Sequence, residues 1–254
     1  MTLDEDLVQE AKTLIAEATK KGVILRVLGG VAIRFHCPSA GRPPLVRRIA
    51  DIDLFGLSKQ VREIKEVFTS SSYVPAQMFN ALHGNKRLMF FQPENQVRRD
   101  VFLDFFEMCH KFDFRRRLEV DDFSLPVSDL LMTKLQIVEI EERDWKDIAC
   151  IVLDHELANS DSADKINKDY IADICSKDWG IYRTFTQNLE KIQPYVQEIG
   201  LEDSRKEVAR ARVKALAEAI EQAPKSMKWK TRSMIGDKMS WYDLPEAPKP
   251  IKFE

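Results

Sequence analysis

The feature that most limits what this chain can fold into is a strand that ends in two glycines and opens directly into a helix. Val23-Ile24-Leu25-Arg26-Val27-Leu28 is rich in branched residues and reads as a buried strand. Gly29-Gly30 breaks it, and Val31-Ala32-Ile33-Arg34-Phe35 begins a helix. Glycines at such a turn let the backbone approach a ligand closely, and the free amides and positive potential of a helix start suit phosphate. Downstream, Asp51-Ile52-Asp53-Leu54 falls within a second strand expected over 49–57. Residues two apart in an extended chain share a face, so Asp51 and Asp53 project together while Ile52 and Leu54 pack behind them. Two carboxylates so placed repel each other unless a cation lies between them, and a hard divalent ion such as magnesium is the natural partner. A phosphate cradle beside paired carboxylates is the equipment of metal-assisted phosphoryl or nucleotidyl transfer.

A two-metal site also wants a third carboxylate from a neighbouring strand. The strand expected over 97–106 offers Asp100 and Asp104, four residues apart and therefore on one face of a regular strand, with Phe102 between them. The spacing does not choose between the two.

The rest of the chain changes texture near Pro126. Before it, helices and strands mix. Leu3, Leu7, Leu14, Ile15 and Ala18 recur at helical spacing over 3–20, with Gly22 as the stop. A loop over 38–44 holds three prolines and one glycine, a helix is expected over 58–68, and strands over 87–91 and 97–106 flank Pro93-Glu94-Asn95 as a hairpin. Beyond Pro126 strand signals vanish, and helices are expected over 128–140, 142–154, 162–177, 182–198 and 204–223. Ser204 and Glu207 have the spacing of a capping box. From Pro224 onward no periodicity survives. The expected fold is therefore α+β: a core over 1–125 with a mixed sheet and flanking helices, an all-helical domain over 126–223, and a basic, proline-containing tail over 224–254.

Composition removes several classes. With 254 residues, 44% hydrophobic and 31% charged, and 39 Lys+Arg against 41 Asp+Glu, the chain can bury a core and is not a disordered polymer. The uncharged apolar stretch from Val27 to Ile33 is far short of the roughly 20 residues a bilayer requires, and Asp4-Glu5-Asp6 stands where a signal peptide is basic. Cys37, Cys109, Cys150 and Cys175 form no CxxC pair, so they read as reduced thiols. These points place the expected chain in the cytoplasm, away from membranes. There is no Gly-x-Ser-x-Gly, Walker loop or Rossmann fingerprint, and His36, His83, His110 and His155 lack metal-ligand spacing. Basic residues cluster at Arg115-Arg116-Arg117, along Arg205 to Lys214, and around Trp229. Such stretches bind single-stranded RNA or simply face solvent.

Leu28-Gly29-Gly30 followed by Asp51-Ile52-Asp53-Leu54 resembles the hG[GS]…Dh[DE]h signature of the polymerase-beta-type nucleotidyltransferase superfamily. The twenty residues between Gly30 and Asp51 exceed the common spacing, so the proline-rich loop reads as an insertion, and Gly30 stands where many members carry serine. Asp129-Leu-Leu-Met-Thr-Lys134-Leu and Arg143-Asp144-Trp-Lys-Asp147-Ile resemble helices of the AbiEii toxin-like branch. The resemblance implies a nucleotidyltransferase-like fold and an enzyme that moves an NMP from an NTP to an acceptor hydroxyl with two magnesium ions. In it Asp51 and Asp53 would be catalytic metal ligands with Asp104 or Asp100 as the third. Gly29 and Gly30 would hold the triphosphate, Lys134 would contact it, and Asp144 would position the lysine or the nucleotide. The acceptor would be an RNA or tRNA end or a protein, as for the toxin of a toxin–antitoxin phage-defence pair with its cognate antitoxin. The alternatives are a small-molecule (antibiotic) nucleotidyltransferase and a non-catalytic nucleotide-binding or scaffold protein on the same fold.

Overall fold

The apolar repeat at the N-terminus forms α1 (Leu3–Lys20), which buries Leu7, Ala11, Leu14, Ile15 and Ala18 against the sheet. Gly22, at φ +69°, turns the chain out of the helix, and the Val23 amide donates back to the Ala18 carbonyl at 2.9 Å. The computed structural model describes residues 3–92 and 97–244.

Five strands build one mixed sheet: β1 (Leu25–Leu28), β2 (Ile52–Gly56), β3 (Val74–Pro75), β4 (Arg87–Phe91) and β5 (Arg98–Leu103), in the order β1-β2-β5-β4-β3. Only β2 and β5 run parallel; the other pairs are antiparallel. The expected hairpin strands do pair as β4 and β5, while its turn at Pro93-Glu94-Asn95 lies outside the described residues. Helix α2 (Gly29–His36) begins one residue after β1 and packs Val31, Ala32 and Ile33 inward. Helix α3 (Val61–Ser70) buries Ile64, Val67 and Phe68, with the Phe68 ring stacked on Phe90 at 4.1 Å between centroids.

The short helix α4 (Gln77–His83) was not expected; it buries no residue, so no apolar stripe announces it. Nor does the strand through Asp100 run on to Phe106. Asp104 takes φ +60°, a left-handed conformation that breaks the extended chain. Phe105–Glu107 (β6) then pairs with Lys111–Asp113 (β7) as a separate two-stranded ribbon.

The second half is helical apart from the two-residue strands Leu157–Ala158 (β8) and Ile166–Asn167 (β9). Its helices are α5 (Val127–Leu135), α6 (Glu142–Asp154), α7 (Lys168–Lys177), α8 (Trp179–Glu198), α9 (Asp203–Gln222) and α10 (Met227–Ile235). Helix α10 lies in the stretch read from sequence as a tail without periodicity. The predicted capping box at Ser204 does not form: α9 is preceded by Glu202, which makes no side-chain cap. The box occurs instead at α6, where the Glu141 side chain accepts from the Asp144 amide and Asp144 accepts from the Glu141 amide. Buried apolar side chains run without interruption from Leu7 to Ile220. The segment that joins the halves is tied to β1 by Val27 N–H to Phe123 O and Leu125 N–H to Val27 O, both 2.9 Å.

Candidate active site

The site forms where β1, β2 and β5 meet the start of α2. In the sheet register Leu28 lies opposite Asp53, and Asp53 lies opposite Asp100. Asp51 sits immediately before β2 rather than on it. The strand-end glycine is demanded by this arrangement. Gly29 has φ +67°, and a Cβ there would stand 2.5 Å from Asp53 Oδ2, so a side chain would be both strained and blocked by the carboxylate. Leu28 gives α2 no side-chain cap and its first turn carries no acid, so the helix start keeps its positive potential.

Asp53 is pushed up to about 7, first by burial and then by the charges of Asp51 and Asp100, against the opposing pull of Arg87 and Arg98. Asp100 is fully buried. Arg87 donates from Nε to its Oδ1 at 3.0 Å and approaches Oδ2 at 2.9 Å. Arg98 lies 2.5 Å from Asp100 Oδ2 and donates to Asp51 Oδ2 at 3.0 Å. Asp100 Oδ2 nevertheless receives no aligned hydrogen bond. Among the described residues no three His, Cys, Asp or Glu side chains already converge as a metal cage. Asp51, Asp53 and Asp100 still fit a hard divalent cation in chemistry: all donors are carboxylate oxygens, one is buried and poorly satisfied, and a cation would relieve the repulsion that raises Asp53.

On the other side of the glycine turn lies a second charged cluster. Arg47 grips Asp147 with two hydrogen bonds of 2.7 Å, and a Cβ on Gly30 would stand 2.7 Å from its guanidinium. Lys134 Nζ lies 2.9 Å from both Asp144 Oδ1 and Asp147 Oδ2. Burial works against charge on Lys134, but Asp147 and Asp144 more than offset it and hold the ammonium above its ordinary pKa. Burial likewise opposes charge on Asp147, and Lys134 and Arg47 outweigh it, so the carboxyl lies below its ordinary value. Lys134 and Asp144 thus stand together beside the glycine turn, with the same Asp144 capping α6.

Asp104 does not join this group. It stands at the far end of β5, four residues beyond Asp100, where it accepts from the Ser58 amide at 3.0 Å and the Ser58 hydroxyl at 2.5 Å. The left-handed turn at Asp104 is why the same-face argument fails for it. Sequence reasoning passed over Arg47 and Arg87 and gave no site role to Asp147, named only within its motif, or to Arg98. Two of them carried a signal: Asp147 is one helical turn from Asp144 and shares its face, and Arg98 is two residues from Asp100 and shares its strand face.

Much of the basic sequence is engaged within the protein. Arg117 pairs with Asp129 and Asp161, Arg212 donates to the Val152 and Leu153 carbonyls, and Trp229 meets Tyr182 edge-on at 5.1 Å. His36 contacts Asp164 at 3.1 Å and Ser124 at 2.7 Å, which has the look of a hydrolytic triad. Ser124 is fully buried, however, and its hydroxyl donates to the Leu125 carbonyl, so it presents no nucleophile. The four cysteines are buried and unpaired. Among the described residues no helix is long and apolar enough to cross a membrane.

No protein-family model matches this sequence, and no curated protein matches it. Among solved structures, the chain is similar to the antibiotic-resistance factor ANT(2'')-Ia, known in solution and described as having substrate-regulated conformation dynamics. The identity is 13% over 86% of this chain and 97% of that chain, with a TM-score of 0.38.

Proposed function

We propose that this protein is a magnesium-dependent nucleotidyltransferase that moves an NMP from an NTP to an acceptor hydroxyl. The observation that carries the reading is the close approach of Asp53 to Gly29. One turn presents a helix start for phosphate and, against it, a carboxylate in register with Asp100. Asp51, Asp53 and Asp100 are the residues that would hold the cation. Bound there, magnesium would acidify the acceptor hydroxyl and neutralise charge on the triphosphate. The amides after Gly29 and Gly30 bind the triphosphate and align it for in-line attack. Arg47 and Lys134, held by Asp147 and Asp144, stand beside those amides and balance charge gathering on the departing pyrophosphate. The acceptor oxygen gives up its proton to solvent and forms its bond to the α-phosphorus as the bond to pyrophosphate breaks.

For the acceptor, we favour an RNA or tRNA end or a protein hydroxyl, in the manner of a toxin held in check by a cognate antitoxin. Expression without that partner would then slow growth. A second reading, a nucleotide-binding protein without turnover, is favoured by one observation: Arg87 and Arg98 already neutralise much of the carboxylate charge.

The test is nucleotide incorporation. Protein, magnesium and each labelled NTP are incubated with total RNA, with cell protein, or with a panel of small hydroxyl compounds including aminoglycosides. Label that enters one fraction and is lost in the Asp51→Asn/Asp53→Asn double variant supports the enzyme and names its acceptor class. NTP binding with no label in any fraction supports the second reading.

A further inference from the structure

The carboxylate group contains its own cation. Three acids, Asp51, Asp53 and Asp100, face two guanidiniums, and these are held differently. Arg87 meets both oxygens of Asp100 and lies over the Phe102 ring at 4.5 Å, which anchors it. Arg98 instead spans two separate acids, Asp51 at 3.0 Å and Asp100 at 2.5 Å. Its Nε is buried without an aligned acceptor, while the side chain keeps 29% of its surface exposed. An arginine that hydrogen-bonds one acid, meets a second without alignment and lies next to solvent is placed as a shared counter-charge more than as a bidentate clamp on either.

We propose that Arg98 is the counter-ion of this carboxylate group, and that it leaves Asp51 and Asp100 only when a nucleotide-bound divalent cation enters. This rests on the reading of Asp51, Asp53 and Asp100 as cation ligands. Its consequence is ordered loading. A free divalent ion that joins the acids while Arg98 stays would meet the positive charge of a guanidinium that touches two of its three ligands. Even at the dielectric constant of water, that repulsion weakens binding about tenfold. An NTP brings enough negative charge to release Arg98 and to offer it the phosphates as new partners.

The test uses the full chain and Mn²⁺ as the probe, with free ion read by electron paramagnetic resonance, alone and with an α,β-methylene analogue of each NTP. Wild type, Arg98→Met, Arg98→Lys and Asp53→Asn are compared. Mn²⁺ alone is expected to bind Arg98→Met at least about tenfold more tightly than wild type. The gain on adding the analogue is expected to be largest in wild type. Arg98→Lys keeps the charge but cannot bridge both acids, so it falls between them and serves if Arg98→Met does not fold. If the Arg98 variants bind Mn²⁺ alone no better than wild type while Asp53→Asn binds none, the counter-ion role is overturned and the site reading stands. If Asp53→Asn binds Mn²⁺ as wild type does in every condition, both are overturned.

Discussion

Asp53→Asn is expected to make the metal-free protein more stable at neutral pH, and the sign follows from the site itself. The Asp53 carboxyl is raised from an ordinary 3.8 to about 7 by burial and by Asp51 and Asp100. A folded acid that holds its proton more tightly than the unfolded chain contributes fully only below the unfolded pKa. Its contribution falls as pH rises from about 4 to about 7 and is flat above that. The two pKa values set a ceiling on the order of 4 kcal/mol for ionised Asp53 at pH 8. Arg87 and Arg98 lose the attraction of a nearby charge in the variant, so a net gain on the order of 1–3 kcal/mol is expected. For a chain of this size that is a rise of about 2–10 °C in Tm. Urea denaturation with chelator, from pH 4.5 to 8.5, reads this directly: the curves should nearly meet at the acid end, separate steadily up to about pH 7 and stay apart by a constant amount above it. Magnesium should then close the gap from the wild-type side, since only wild type keeps the full acid set. A variant no more stable than wild type at pH 8, with an unchanged pH profile, would show that Asp53 is not under the repulsion described.

Gly29→Ala places a methyl group at φ +67° and 2.5 Å from Asp53 Oδ2, so it should cost about 1–3 kcal/mol and reduce incorporation at least about 100-fold. Asp147→Asn frees Arg47 and Lys134 from their shared partner; loss of a buried pair member costs about 3–5 kcal/mol in denaturation, with a raised KM for NTP where the protein still folds. Asp104→Ala removes the Ser58 contacts and should lower stability by roughly 1 kcal/mol while incorporation stays at the wild-type rate, which separates it from Asp100→Asn.

The parts of this fold legible in the sequence are those fixed by local chemistry. The glycine pair between an apolar strand and an apolar helix serves a tight turn or a close approach, and at Gly29 the structure has both, φ +67° and Asp53 against the backbone. Lys134 and Asp144, on different helices, were brought together by resemblance to a family pattern; nothing in their spacing along the chain implies a 2.9 Å ion pair. What failed was reasoning that assumed regularity. Asp100 and Asp104 share a face only if the strand continues, and one left-handed residue ended it. The capping box at Ser204 satisfied the spacing rule, but α9 starts at Asp203, leaving Ser204 inside the first turn. Helices α4 and α10 bury no residue, so periodicity had nothing to detect.

The two charged clusters on either side of the glycine turn differ in a way that bears on turnover. In the cluster around Asp147, Arg47 and Lys134 meet two acids, each of these contacts is within 2.9 Å, and Asp147 is held below and Lys134 above its ordinary pKa. Such a group is satisfied before any ligand arrives. It keeps Arg47 and Lys134 oriented, and it resists change because separating any member leaves a buried charge alone. In the cluster around Asp53, three acids meet two cations, one acid is raised to about 7, and a buried oxygen lacks an aligned donor. That group is frustrated until something positive enters. Rigid binding charge on one side and stored repulsion on the other is the distribution expected if the phosphates are positioned by the first cluster while the second supplies the energetic reason for a cation to bind. It also explains why removing a carboxylate from each side has opposite consequences for the fold: loss at Asp147 breaks a satisfied network, and loss at Asp53 relieves a strained one.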